Sequence, residues 1–337
     1  MKPQVLRFLY GAGAEGDRPD VLAVDGAFGT GPNLSHWPGN RTPDRYRHEL
    51  STGSSLLLAA DPDRATFLRG VSFVANNHYD TDGLLALFSV LKPAVASEHR
   101  AMLLSAARAG DFEEAADVDA VKRDALVTAW PVHSESPIAF AVVGLARERA
   151  EEFAYRHLLE RLPQVFLDLD AYEPLWRDAA ARFERDRTAA HSGAIRVERR
   201  EDSKLAVVFA EDGIEPGPYG LATLAAPSPR ILLVRRTGEG VHYRFRQGAR
   251  SWFDLPGDRP RRLDPRTIAA DPALFDPARS GIWFGDDPKN VTAEMVFGRP
   301  LDRTCAMESG HVTTPCGVAP DVVVAAIERA AALVDRS

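Results

Sequence analysis

Between two apolar runs, residues 71 to 93 read "VSFVANNHYDTDGLLALFSVLKP": a histidine and two aspartates at alternate positions, then a glycine. Residues two apart lie on one side of an extended chain, so His78, Asp80 and Asp82 point together just beyond the end of a strand. Imidazole with carboxylates suits Mn²⁺, Fe²⁺ or Zn²⁺, whereas carboxylates alone suit Mg²⁺. Gly83 allows a sharp turn, and Asp82 is placed to cap the helix that follows. The stretch therefore reads either as three converging ligands or as a capped strand-to-helix turn with polar neighbours.

Such a site needs a strand before it and a helix behind it. "QVLRFLY", "DVLAVDG" and "GVSFVANN" read as short buried strands among helix-like runs, which predicts an α/β domain with a mostly parallel sheet. Ligands of an open α/β sheet bind beyond the carboxyl ends of its strands, where the motif falls. "LLALFSVL" predicts a helix stopped by Pro93, and "SEHRAMLLSAARAGDF" one closed by Gly110. Residues 137 to 190 are mostly helical in pattern. Near "TAAHSGA", residues 188 to 194, the texture turns to β: "AIRVERR", "KLAVVFAEDG" and a hairpin over "RILLVRRTGEGVHYRFRQ". A last helix, "PDVVVAAIERAAALV", has Pro320 in its first turn. The expected organisation is an α/β domain over residues 1–190, with a helical segment and the candidate metal site. A smaller mixed α+β substrate or cap domain follows over 191–337. No internal repeat or low-complexity segment is evident.

"HYDTDGLLAL" resembles the first motif of the DHH phosphoesterase superfamily, a histidine and an Asp-x-Asp-Gly set between a strand and a helix. The resemblance implies a two-metal centre, usually of manganese, that hydrolyses phosphoester or phosphoanhydride bonds. Under it, "VLAVDG" resembles the motif in which an aspartate ends a second strand, making Asp25 a ligand candidate. "LSHWPG" stands where that superfamily has Asp-His-His, making His36 a ligand or the proton donor to the leaving oxygen. "AGDF" offers Asp111 as a further carboxylate, although its Gly-Asp context favours a helix-end or N-cap residue. "ESGHVTTPCG" resembles a glycine-histidine segment of the substrate domain, making His311 a substrate contact. The triplet itself is absent, since positions 35 and 37 are Ser and Trp, and Asp25 and His36 precede the His78 motif instead of following it. The chain as a whole also resembles a bacterial family of unknown function, through "LSHWPGN", "STG" and "NNHYDTDG". The implied catalytic set is His36, His78 and Asp82, and the implied metal set Asp25, His78, Asp80 and Asp82. Mn²⁺ is the expected ion, with Mg²⁺ or Zn²⁺ as alternatives.

Composition sets the bounds. In 337 residues, 45% hydrophobic and 26% charged, an ordinary packed core is expected, and the length favours two domains. A net charge of −7 argues against long nucleic acid or an anionic membrane as partner. Only five of the 41 basic residues are lysine, so abundant arginine reflects composition more than phosphate binding. The opening "MKPQVLRFLYGAGAEG" is too short an apolar run for a secretory signal, and no later run is long enough to span a bilayer. Cys305 and Cys316 form no ligand-like pair, so a reducing cytoplasm is expected. The sequons at Asn33, Asn40 and Asn290 then carry no glycan.

"GAGAEG" matches a dinucleotide fingerprint but leads into a turn and another strand, so it reads as a loop. "GTGPN" lacks the Lys-Ser/Thr of a phosphate loop, and neither a nucleophile elbow nor a zincin helix occurs. "VHYRFRQ" alternates, with Arg244 and Arg246 on one face of a strand; they are either plain strand patterning or a phosphate-binding face. The leading expectation is a metal-dependent phosphoesterase for a small phosphoester or nucleotide. A single-metal amidohydrolase or deacetylase and a non-enzymatic ligand- or metal-binding protein are its rivals. A homodimer is the assembly to test for.

Overall fold

The computed structural model describes residues 5–11, 17–257, 261–300 and 311–335, with His311 described in its backbone only. Most of "GAGAEG" therefore lies outside the described residues, as does Cys305. The chain forms two compact units, Met1–Phe183 with Phe253–Gly257, and Glu184–Trp252 with Asp258–Ser337. The fold is mixed α/β, with one parallel and one mixed sheet.

The first unit contains, in chain order, β1 (Arg7–Tyr10), β2 (Val21–Val24), β3 (Asn33–Leu34), α1 (Ser51–Ala60), α2 (Arg64–Phe67), β4 (Phe73–Asn76) and α3 (Thr81–Leu91). It continues through α4 (Pro93–Glu98), α5 (Arg100–Phe112), α6 (Val118–Ala129), α7 (Ala139–Val142) and α8 (Arg147–Leu167); α9 (Glu173–His191) runs on into the second unit. The strands pair in the order β1-β4-β2-β3, all parallel. Strand β2 is buried at every position, as a strand covered on both faces must be. Because β2 and β4 are parallel neighbours in register Ala23↔Ala75, Asp25 and His78 emerge from adjacent carboxyl ends.

Helix α3 is apolar almost all round and buried from Thr81 to Val90, so it needs neighbours on every side. Helices α1 and α5 are two of them. Asp80, not Asp82, caps α3: its carboxylate accepts from the Gly83 N–H at 2.8 Å. Pro93 follows the end of α3 and opens α4 at its first position, where a missing N–H does no harm. Helix α5 departs from expectation by running through Gly110 to Phe112, where Glu113 ends it in the left-handed region. A Cβ on Gly110 would lie 2.9 Å from Asp124 Oδ1 and 3.0 Å from Thr81 Cβ. That glycine serves close helix packing instead of termination.

The second unit contains β5 (Ile195–Arg200), β6 (Leu205–Ala210), α10 (Pro218–Ala225), β7 (Arg230–Thr237), β8 (Gly240–Gln247) and α11 (Pro265–Ala269). After them come β9 (Ile282–Gly285), β10 (Glu294–Pro300), β11 (His311–Thr313) and α12 (Pro320–Asp335). The sheet order is β11-β10-β8-β7-β6-β5, with β9 beside β10. Strands β7 and β8 form the expected hairpin. Strands β6 and β7 are parallel, and α10, which the sequence pattern did not suggest, supplies the crossover they require. Alternation sorts the two faces: Val207, Leu232, Val234 and Phe245 pack with Val323 and Ile327 of α12. Val208, Ile231 and Leu233 pack with Leu221 and Ala225 of α10. Arg230 is buried and grips both oxygens of Asp335 at 2.9 Å, tying the end of α12 to β7. No helix among the described residues is long and apolar enough to cross a membrane.

Candidate metal centre

Asp25 ends β2 in the left-handed region, at φ 48°, a conformation Asp tolerates better than most residues. Its side chain is 1% exposed, and its two oxygens face different neighbours. Oδ1 accepts from Ser51 Oγ at 2.8 Å and lies 3.5 Å from His36 Nε2, while Oδ2 lies 3.1 Å from His78 Nε2.

His36 sits in a loop that folds on its own polar groups. Thr42 Oγ1 accepts from the Ser35 N–H and donates to the Ser35 carbonyl, both at 2.7 Å, and Asn40 Nδ2 donates to the Trp37 carbonyl at 2.9 Å. Buried Asn33 braces the loop by donating to the Ala23 and Gly26 carbonyls. His36 Nδ1 is 2.6 Å from the Glu49 carbonyl, which can only accept, so Nδ1 carries the proton. Nε2 is left without a hydrogen-bond partner and fully buried, facing Asp111 Oδ2 at 3.1 Å, Asp25 Oδ1 at 3.5 Å and Asp82 Oδ2 at 3.7 Å. Its ring stacks on Phe253, with centroids 3.8 Å apart, while Trp37 packs against His78.

Asp82 lies inside the first turn of α3 and points at the start of α1. Its oxygens accept from the Ser51 and Thr52 N–H groups at 2.7 and 2.9 Å, satisfying two donors at that helix's open end. Asp111 reaches the same place because α5 continues past Gly110. On the other side of Asp25, His78 Nε2 is 2.8 Å from Asp80 Oδ2. Its backbone is fixed by Tyr155 Oη donating to the His78 carbonyl at 2.7 Å and by the His78 N–H donating to Asn76 Oδ1 at 3.0 Å. The alternate residues of "HYDTD" thus do not form one cluster. Asp25 divides them: Asp25, His36, Asp82 and Asp111 make one group, and Asp25, His78 and Asp80 another, the donor atoms in each within 4.8 Å of one another.

These two groups crowd negative charge in a dry place. Burial, then the charge of Asp25, pushes the Asp82 carboxyl up to about 6, and burial with the charge of Asp82 pushes Asp111 well above the usual carboxylate range. Burial also acts to raise Asp25, but the imidazoles of His36 and His78 beside it outweigh burial and lower its pKa. Burial acts to lower the two imidazoles. Against it, Asp111 chiefly holds His36 well above the ordinary histidine value, and Asp80 with Asp25 raises His78 to about 11. The raised values of Asp82, Asp111, His36 and His78 report the same demand for positive charge, as protons or as a cation. Donor separations near 3 Å fit ligands that each stand about 2.0–2.2 Å from one ion.

Of the residues named from the sequence, the structure brings Asp25, His36, His78, Asp80, Asp82 and Asp111 together. Arg244 and Arg246 lie on β8 in the second unit, beside Glu294 of β10, with nitrogens 3.7 and 3.9 Å from its oxygens. The His311 side chain lies outside the described residues. Asn33 is buried and engaged, which leaves no room for a glycan at that sequon. Ser51, Thr52, Asn76 and Phe253 were not singled out, although Ser51 and Thr52 open the "STG" segment. Phe253 carried no signal, being a lone aromatic remote in sequence.

Comparison with known proteins gives a family match: the model of the Family of unknown function (DUF6687) covers residues 7–304. No curated protein and no solved structure matches the chain.

Proposed function

The chain belongs to the Family of unknown function (DUF6687), and from its site we propose that it is a divalent-metal-dependent hydrolase, a phosphoesterase acting on a small phosphoester or nucleotide. The observation that carries this reading is the arrangement around Asp25, whose two oxygens face two separate histidine-carboxylate groups. Asp25 would bridge two ions, one held with His36, Asp82 and Asp111, the other with His78 and Asp80. A donor set of imidazole and carboxylates without thiolate favours Mn²⁺, with Mg²⁺ and Zn²⁺ as alternatives. Two such ions supply charge neutralisation on phosphoryl oxygens and an acidified water. The chain's own residues give the ligands their aim: Glu49 fixes the His36 tautomer, the start of α1 holds Asp82, and Asp80 is set by the α3 cap. The resemblance of "HYDTDG" to the DHH phosphoesterases supports the same class. A negative net charge favours a short substrate over long nucleic acid.

The test is hydrolysis of bis(p-nitrophenyl) phosphate and of short dinucleotides by manganese-loaded protein. Turnover that needs metal and drops about a hundredfold or more in Asp80→Asn is the expected result. Tight metal binding with no phosphoester turned over would displace this reading in favour of an amidohydrolase or a non-enzymatic metal-binding protein.

A further inference from the structure

The two subsites differ sharply in exposure. In the first, the side chains of Asp25, His36, Asp82 and Asp111 are 1%, 0%, 0% and 6% exposed. In the second, His78 and Asp80 are 26% and 36% exposed. A short segment covers the His36 ring. Phe253–Gly257 belongs to the first compact unit although the residues on either side of it belong to the second. Phe253 is buried and lies nearly flat on the His36 ring, at 3.8 Å and 25°, and meets Phe112 at the end of α5 edge-on. The next residue fastens it. The Asp254 N–H donates to the His36 carbonyl at 2.6 Å, and its carboxylate accepts from Arg47 at 3.1 Å and Asn40 Nδ2 at 3.2 Å. The segment therefore grips the His36 loop by ring, backbone and side chain at once.

Resting on the two-ion reading above, we propose that Phe253 and Asp254 form a clasp closing the His36 subsite, so that its ion exchanges slowly while the ion between His78 and Asp80 faces the substrate. Phe253 is a positioning residue: it touches neither ion nor substrate. It holds the imidazole so that Nε2 faces the three carboxylates, and it keeps water from that side. Arg47 and Asn40 hold the clasp down from the surface. The open subsite, flanked by Trp37, lies where solvent reaches the pair. A phosphoryl oxygen would thus meet the ion of His78 and Asp80 first.

The experiment is a chelator chase of manganese-loaded full-length protein, following free manganese against time. Wild type is expected to release one ion quickly and one slowly. Phe253→Ala should speed the slow phase about tenfold or more and leave the fast phase alone. Arg47→Ala, a surface change that loosens only the fastening, should shift the slow phase the same way by a smaller factor, and it carries the test should Phe253→Ala fail to fold. Asp80→Asn should delete the fast phase and spare the slow one. Release of both ions in one rapid phase would overturn the clasp while leaving the metal centre standing, and so would a slow phase indifferent to the foldable clasp variants. A fast phase that survives Asp80→Asn would overturn the assignment of the open ion. Failure of wild type to bind manganese at all would overturn the metal reading itself, and the clasp with it.

Discussion

Asp25 is the residue that the two histidine-carboxylate groups share, and the buried carboxyls beside it are held toward their neutral form. Asp111 shows this best, since burial and Asp82 hold its carboxyl well above the ordinary range. Because that carboxyl is held in its neutral form, Asp111→Asn, which mimics it, should leave the metal-free protein at least as stable as wild type at neutral pH, yet the variant should bind one ion fewer. Paired melting curves and metal titrations check this; a loss of metal-free stability would mean that Asp111 is structural. The pH dependence has a definite sign. The raised Asp82 value, about 6 against 3.8, stabilises the metal-free protein below pH 4, and that contribution is lost as pH rises through 6. His78, raised from 6.5 to about 11, behaves alike at higher pH: its stabilisation is whole below 6.5 and lost on the way to 11. If manganese binds as proposed it would replace those protons, so its shift of the melting temperature should be larger at about pH 8 than at about pH 5.5. A shift equal at both would contradict the picture. At this scale the local motif was legible because His78, Asp80 and Asp82 are sequence neighbours. Asp111 reads from the sequence as a helix end because Gly110 looks like a stop, whereas α5 runs on to Phe112 with Gly110 packed against Thr81 and Asp124.

At the scale of elements, the site is a meeting of two strand ends and three helices. The adjacent parallel strands β2 and β4 were readable as apolar runs, and so was the helix after the motif. The docking of α1 against α3 was not, because it rests on contacts between distant residues, with Asp82 accepting the first N–H groups of α1. Gly83 lets the start of α3 sit close on the ends of β2 and β4. A Cβ there would fall 1.9 Å from Asn76 Nδ2 and 3.0 Å from both Asp25 Oδ2 and Asp80 Oδ1. Gly83→Ala should therefore destabilise the protein by about 1–3 kcal/mol through overpacking. It should also weaken manganese binding, since the displaced atoms belong to or adjoin the ligands. Urea unfolding midpoints with metal titration check both; an unchanged midpoint would mean the turn has slack. Helix α10 escaped the sequence reading because "PYGLATLA" is short, and only the parallel pairing of β6 with β7 makes a crossover necessary.

At the scale of the whole molecule, all six candidate ligands and the clasp belong to one compact unit. Ion binding should slow amide hydrogen exchange in β2, β4, α1, α3 and α5, and leave the β6–β8 core at its metal-free rate. Protection confined to the second unit would place the ion elsewhere. The change of texture near residue 190 was visible in the sequence, but the return of residues 253–257 to the first unit was not. Nothing in "FDLPG" marks it as part of a site, because its meaning comes from what it touches. The most direct test of the central claim is a calorimetric titration of the metal-stripped protein with Mn²⁺, beside Asp25→Asn. Two ions per chain, with binding at both sites lost or severely weakened when the shared carboxylate is removed and the fold kept by circular dichroism, is the expected result. No binding of Mn²⁺, Zn²⁺ or Mg²⁺ to the wild type would contradict it, and the cluster would then be a proton-linked polar core that holds α1 to α3.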